Sequence, residues 1–127
     1  MATQAPVRGY AVEARSTDTP GRVLCSARDQ HLVSDGPVQN GCPGEAIGPA
    51  ELFLSGVAAC GVELLQAIAR DQNVSLAGVY ASIDGVLDPA RRTRQDVSLF
   101  SSVHIQFHLS GVSQEQAEDL VERFTRR

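Results

Sequence analysis

Residues 48–69, GPAELFLSGVAACGVELLQAIA, are the most apolar stretch of the chain and the feature that most limits its possible folds. After Pro49 no helix breaker occurs until Asn73, so the spacing predicts a helix over 49–71. Gly48 stands at the N-cap, Pro49 at the first helical position and Glu51 at the third, an ordinary helix start. Leu52, Phe53, Val57, Leu64, Leu65 and Ile68 supply bulk on nearly every side, which predicts a buried helix rather than a surface one. Between them runs a series of small residues, Ser55-Gly56-Val57-Ala58-Ala59-Cys60-Gly61. Gly56 and Gly61 each lower helix propensity by about 1 kcal/mol against alanine, and the compensation expected is close approach of another element or a ligand. No apolar run is read as approaching the ~20 residues of a membrane-spanning helix.

The rest of the chain must cover that helix. Residues 7–15, VRGYAVEAR, begin a strand-like pattern, TDTPG is a turn, and RVLCSAR and HLVSD read as the next two strands about a tight turn near Asp29. GPVQNGCPGEAIGP, 36–49, is a long glycine- and proline-rich loop of the kind that often carries function. Beyond the helix, LAGVYASIDGVL alternates as a strand, and SLFSSVHIQFHLS alternates over Val103, Ile105, Phe107 and Leu109. In SQEQAEDLVERFTRR, Ser113 and Gln116 fit a capping box, and Ala117, Leu120, Val121 and Phe124 form an apolar helical stripe. Three strands, a helix, about three strands and a helix give an α+β class with antiparallel hairpins, in a single domain spanning 1–127.

Charge and cysteine usage narrow the function. With 15 acidic against 11 basic residues the net charge is −4, so neither nucleic acid nor a membrane surface is an expected partner. MATQAPVRGYAVEA lacks the layout of a signal peptide, and the odd count of 3 cysteines argues against a disulfide framework; free thiols in a reducing cytoplasm are expected. CxxC, HExxH and GxGxxG are all missing, and neither a metal nor an organic cofactor is implied. His104 and His108 share one strand face but stand about 13 Å apart, too far to share a metal, so they read as an outward or partner-facing polar row. His31 reads as a turn residue. Arg91, Arg92 and Arg94 read as a solvated hairpin tip or an anion site, and Cys42 as an exposed, oxidisable loop thiol. From the residues alone, Cys60 is either an inert core thiol, since apolar burial disfavours the thiolate, or a nucleophile.

GPAELFLSGVAAC, following HLVSDGP and the loop, resembles the OsmC/Ohr family of thiol-dependent hydroperoxide reductases, whose pattern is a proline, Glu-Leu, apolar and small residues, then a reactive cysteine on a central helix. The order of elements matches along nearly the whole chain. The resemblance implies an OsmC-like fold, antiparallel strands wrapped around two central helices in an intertwined homodimer with active sites at the subunit interface. It implies Cys60 as peroxidatic cysteine, an arginine from the N-terminal strands holding its thiolate, and a glutamate near the helix start orienting that arginine. Arg22, in Gly21-Arg22, best matches the arginine, with Arg15, Arg8 and Arg28 as rivals. Positive charge beside a thiol favours its ionised form, which is the physical need for such a residue.

Two departures stand out. Better-characterised members carry the glutamate directly after the proline, where this chain has Ala50, and Glu51 follows one residue later. Glu51 is nine residues before Cys60, about 180° around the helix, whereas position 50 would be about 80° away. Glu51 is therefore read both as the orienting glutamate and as a helix-capping residue. The family's resolving cysteine lies in a Cys-Pro motif just after the second helix, about where this sequence stops, and neither Cys25 nor Cys42 occupies that place. Glu63 shares a helix face with Cys60 and would oppose the thiolate unless paired. Two functions remain open: a peroxidase for organic hydroperoxides drawing on a thiol reductant, or a dimeric binding module for a small apolar or thiol ligand without turnover.

Overall fold

The computed structural model describes residues 5–91 and 100–126. The chain forms two compact units, Met1–Leu52 and Phe53–Arg127.

The first unit is a meander of β1 (Glu13–Ser16), β2 (Arg22–Ala27) and β3 (Gln30–Asp35), antiparallel in that order. A two-residue turn at Arg28-Asp29 joins β2 to β3, with Arg28 in the left-handed region at φ 56°. His31, read as a turn residue, instead lies in β3, where its Nδ1 is 2.7 Å from the Ser26 hydroxyl across the hairpin. The strand expected from residue 7 begins only at Glu13. Glu13 pairs with Ser26, and β2 ends one residue later at Ala27, so residues farther upstream have no backbone to pair with.

Helix α1 (Pro49–Asp71) starts in this unit and continues through the second, with the bounds its sequence dictates. Asn73, in the left-handed region at φ 56°, closes it: the Asn73 and Val74 amides donate to the Arg70 and Ala69 carbonyls. Its mean hydropathy of 1.8 over an 18-residue window makes it, by length and composition, the one helix among the described residues able to cross a bilayer. That corrects the reading of the sequence, in which no apolar run approached the length of a spanning helix: the helix has 23 residues, and its alanines and its cysteine keep its mean hydropathy high while adding little bulk. Only 22% of that window is buried within the chain, so the helix expected to be buried is largely open to an outside partner.

In the second unit, among the described residues, β4 (Gly78–Val86) and β5 (Ser102–Ser110) form a two-stranded antiparallel sheet, where the sequence led to an expectation of about three strands. Helix α2 (Gln114–Thr125) follows. The core lies here: Leu65, Ile68 and Ala69 of α1 meet Leu120 of α2, with Val79, Phe107, Leu109, Val121 and Phe124 around them. Phe107 and Phe124 pack edge to face with centroids 5.3 Å apart. Gly61 is required where α1 crosses β5, because a Cβ there would stand 2.8 Å from the Phe107 ring. The capping box of α2 is present in full: the Gln116 amide donates to the Ser113 hydroxyl at 3.1 Å, and the Ser113 amide donates to the Gln116 side chain at 3.0 Å. Ser113→Ala removes a cap worth about 1 kcal/mol, and urea unfolding should report a loss of that size with an unchanged denaturant slope.

Candidate functional site

Cys60 lies mid-way along α1 and is exposed, as are Phe53 (61%) and Val57 (41%), seven and three residues before it. The spacing puts Val57 and Cys60 on one face, and Phe53 a turn above them. Phe53 is held by stacking on Phe100, with centroids 5.7 Å apart. Cys60 thus has the exposure a nucleophile needs and an apolar surround suited to an organic substrate. Gly61, next in sequence, is buried against β5, which fixes the outward direction of the Cys60 face. Glu63 is exposed on the same helix.

The other thiols are less open. Cys25 is half-buried in β2. Cys42, expected to be exposed, is also half-buried: a Cβ at Gly21 would stand 2.7 Å from its sulfur, and one at Gly36 2.5 Å, so both glycine backbones pack against the thiol. Gly21 also needs its φ of +87°, a conformation that other residues rarely adopt.

Directly after Gly21, Arg22 makes a two-point ion pair. Its Nε donates to Asp35 Oδ1 at 2.8 Å and its Nη2 to Asp35 Oδ2 at 2.9 Å, while Glu45 lies 3.9 Å from Nη2. Asp35 is fully buried and accepts two further bonds, from the Glu45 and Ala46 amides at 2.9 and 3.0 Å. Arg22 hydrogen bonding, opposed by desolvation and aided by the two amides, holds the Asp35 carboxyl at about 2. The same hydrogen bond from Asp35 raises the Arg22 guanidinium above its ordinary value. The stability linked to a depressed carboxyl is complete above its unfolded value near ~4 and is lost as the pH falls toward about 2. Acid unfolding followed by circular dichroism should therefore show a component between pH ~4 and ~2 that Asp35→Asn removes.

Glu51 has a different partner. Its Oε1 accepts the Gly48 amide at 2.8 Å, the reciprocal bond of a helix start, and the Leu52 amide donates to the Gly48 carbonyl. Asp35, Gly48, Ala50 and Glu51 line one hollow of about 400 Å³ within Met1–Leu52. Among the described residues, the carboxylates within 4 Å of Arg22 are Asp35 and Glu45. Arg8, Arg15 and Arg28 are all exposed.

Asp35 was not singled out in the sequence, although a signal was there. With the turn at Arg28-Asp29, residues equally far from it face one another, and Arg22 and Asp35 are one such pair. His104 and His108 are exposed on β5, opposite Asp84 and Tyr80, in agreement with an outward polar row. Arg91 is exposed beside Asp88, whereas Arg92 and Arg94 lie outside the described residues.

Residues 42–127 match the family model described as OsmC-like protein. Comparison with curated protein sequences yields no match. Among solved structures, an organic hydroperoxide resistance protein OsmC from Legionella pneumophila is similar at 24% identity and a TM-score of 0.71, over 96% of this chain and 85% of that one. An OsmC-like protein from Mycoplasma pneumoniae is similar at 15% identity and a TM-score of 0.77, over 94% and 82%. An organic hydroperoxide resistance protein from Elizabethkingia anophelis, with thiocyanate bound, is similar at 16% identity and a TM-score of 0.70, over 97% and 85%. These likenesses give the chain the OsmC-like fold.

Proposed function

Because the chain belongs to the OsmC-like family, we propose that it is a thiol-based peroxidase that reduces organic hydroperoxides, with Cys60 as the peroxidatic nucleophile. The observation that carries this reading is the exposed Cys60 on α1, at the reactive position of the family motif and among apolar side chains. The Cys60 thiolate attacks one oxygen of the ROOH bond. The O–O bond breaks, the alkoxide takes a proton and leaves as ROH, and the sulfur becomes a sulfenic acid. A second thiol condenses with it, releasing water and forming a disulfide that a further thiol reduces. Arg22 supplies positive charge that favours the thiolate, and Glu51 fixes the start of the helix that carries it. Phe53 and Val57 favour bulky organic peroxides over hydrogen peroxide.

The protein works as a cytoplasmic homodimer, with neither nucleic acid nor membrane as partner. Support for the dimer comes from the exposed apolar face of α1, which a second copy would cover.

Brief, substoichiometric cumene hydroperoxide followed by mass spectrometry should place the first oxygen on Cys60. Light scattering at micromolar concentration should give twice the 13.5 kDa of one chain. Oxidation confined to Cys42 would refute the assignment of the nucleophile and return a ligand-binding role to first place.

A further inference from the structure

We infer that Gly56 sets how bulky a hydroperoxide the Cys60 thiol can reach, an inference that rests on the peroxidase reading above. Helix α1 carries two glycines, Gly56 and Gly61, and each weakens the helix relative to alanine. Gly61 is explained within the chain, by the Phe107 ring that a Cβ would meet at 2.8 Å. Gly56 is different: a Cβ there would find nothing within 4 Å among the described residues. No packing among them calls for a glycine, and the space it leaves is open to a ligand.

Its place on the helix makes that ligand the substrate of Cys60. Residues three and four apart are neighbours on a helix surface, so Cys60 is ringed by Gly56, Val57, Glu63 and Leu64. All lie within the unit Phe53–Arg127. The Cα–Cβ bond of a helical residue tilts toward the helix N-terminus, so Cys60 covers the turn of Gly56 and Val57 rather than that of Glu63 and Leu64. Val57 fills its side of that turn, and Gly56 leaves the other side clear. Phe53, three residues before Gly56, is held by its stacking on Phe100 and does not close the gap.

The reaction needs such a gap. Attack by the thiolate is an in-line displacement, with the sulfur, the attacked oxygen and the departing oxygen in a row. The S–O bond forms as the O–O bond breaks, and the departing oxygen takes a proton and carries its alkyl group away as ROH. From hydrogen peroxide the departing group is the size of water. From cumene hydroperoxide it bears a phenyl ring and two methyl groups close to the oxygen, and these need room beside the sulfur. Gly56 thus admits hydroperoxides with bulk next to the O–O bond.

The experiment measures the second-order rate constants for oxidation of Cys60 by cumene hydroperoxide and by hydrogen peroxide, read by mass spectrometry on the full chain, for wild type, Gly56→Ala and Gly56→Leu. Gly56→Leu should slow the cumene hydroperoxide reaction on the order of tenfold or more and the hydrogen peroxide reaction by less than about threefold, with Gly56→Ala between wild type and leucine. Gly56→Ala should also raise the urea midpoint, because alanine is the better helix former and has space there.

A wild-type cumene hydroperoxide rate in Gly56→Leu overturns the role of Gly56 and leaves the peroxidase reading standing. Equal losses with the two peroxides overturn it as well, since they mean that the thiol itself has been disturbed. A light-scattering mass of either variant below that of wild type assigns the gap to close approach of a second copy, and the inference falls. If neither peroxide oxidises Cys60 in wild type, the peroxidase reading fails and the role of Gly56 with it. Should circular dichroism show Gly56→Leu unfolded, Gly56→Ala decides alone, and an unchanged ratio of the two rates overturns the inference.

Discussion

Cys60→Ser should abolish turnover of cumene hydroperoxide in a thiol-coupled assay, with a loss on the order of a thousandfold or more, the scale at which enzymes respond to removal of a nucleophile. Serine keeps the size and the hydrogen-bonding capacity of the side chain. Its hydroxyl does not ionise near neutral pH, however, and its oxygen has no sulfenic state to pass to a second thiol. Because Cys60 is exposed on α1, the substitution leaves the core intact, and the far-ultraviolet circular dichroism and unfolding midpoint should stay at wild-type values. That combination distinguishes a lost nucleophile from a lost fold. Cys25→Ser and Cys42→Ser serve as comparisons, since both thiols are half-buried. Retention of most peroxidase activity by Cys60→Ser would refute the proposed chemistry outright.

Leu65→Ala should cost about 2–5 kcal/mol of folding stability, the largest effect expected of any single core truncation here. Leu65 is 0% exposed and sits where α1, β5 and α2 converge, against Leu120 and beside Phe107 and Phe124. Deleting three heavy atoms there forfeits their transfer free energy and leaves a cavity, because the edge-to-face pair of Phe107 and Phe124 cannot relax into the space without breaking its own geometry. Urea unfolding at one fixed protein concentration should show a lower midpoint with the slope unchanged, the fixed concentration being needed because the proposed dimer would add to apparent stability. Leu64→Ala, on the half-buried side of the same helix, should cost clearly less. Equal losses at the two positions would mean that the core has been misplaced.

The sequence by itself determined what near neighbours in the chain decide. Pro49 and Asn73 bound α1 at the residues seen, since helix ends depend on dihedral preferences and on amides within one turn. The Ser113–Gln116 box is likewise a matter of three residues, and the apolar stripe of α2 meets the core as its spacing requires. The position of Cys60 on a helix, followed by a glycine for close approach, was also legible there, and Gly61 against Phe107 bears it out.

Tertiary structure decided what depends on partners distant along the chain. Strand β1 begins at Glu13 because β2 ends opposite it, a boundary set by register and not by the residues upstream. Cys42 is half-buried because two glycines, 21 and 6 residues before it, fold back onto its sulfur. Glu51 turned to the Gly48 amide, while the carboxylate on Arg22 came from Asp35, 13 residues away across a hairpin. Local propensity is blind to that choice, because the free energy of an ion pair depends on burial and on the amides of a third segment, Glu45 and Ala46, which only the folded loop brings to Asp35.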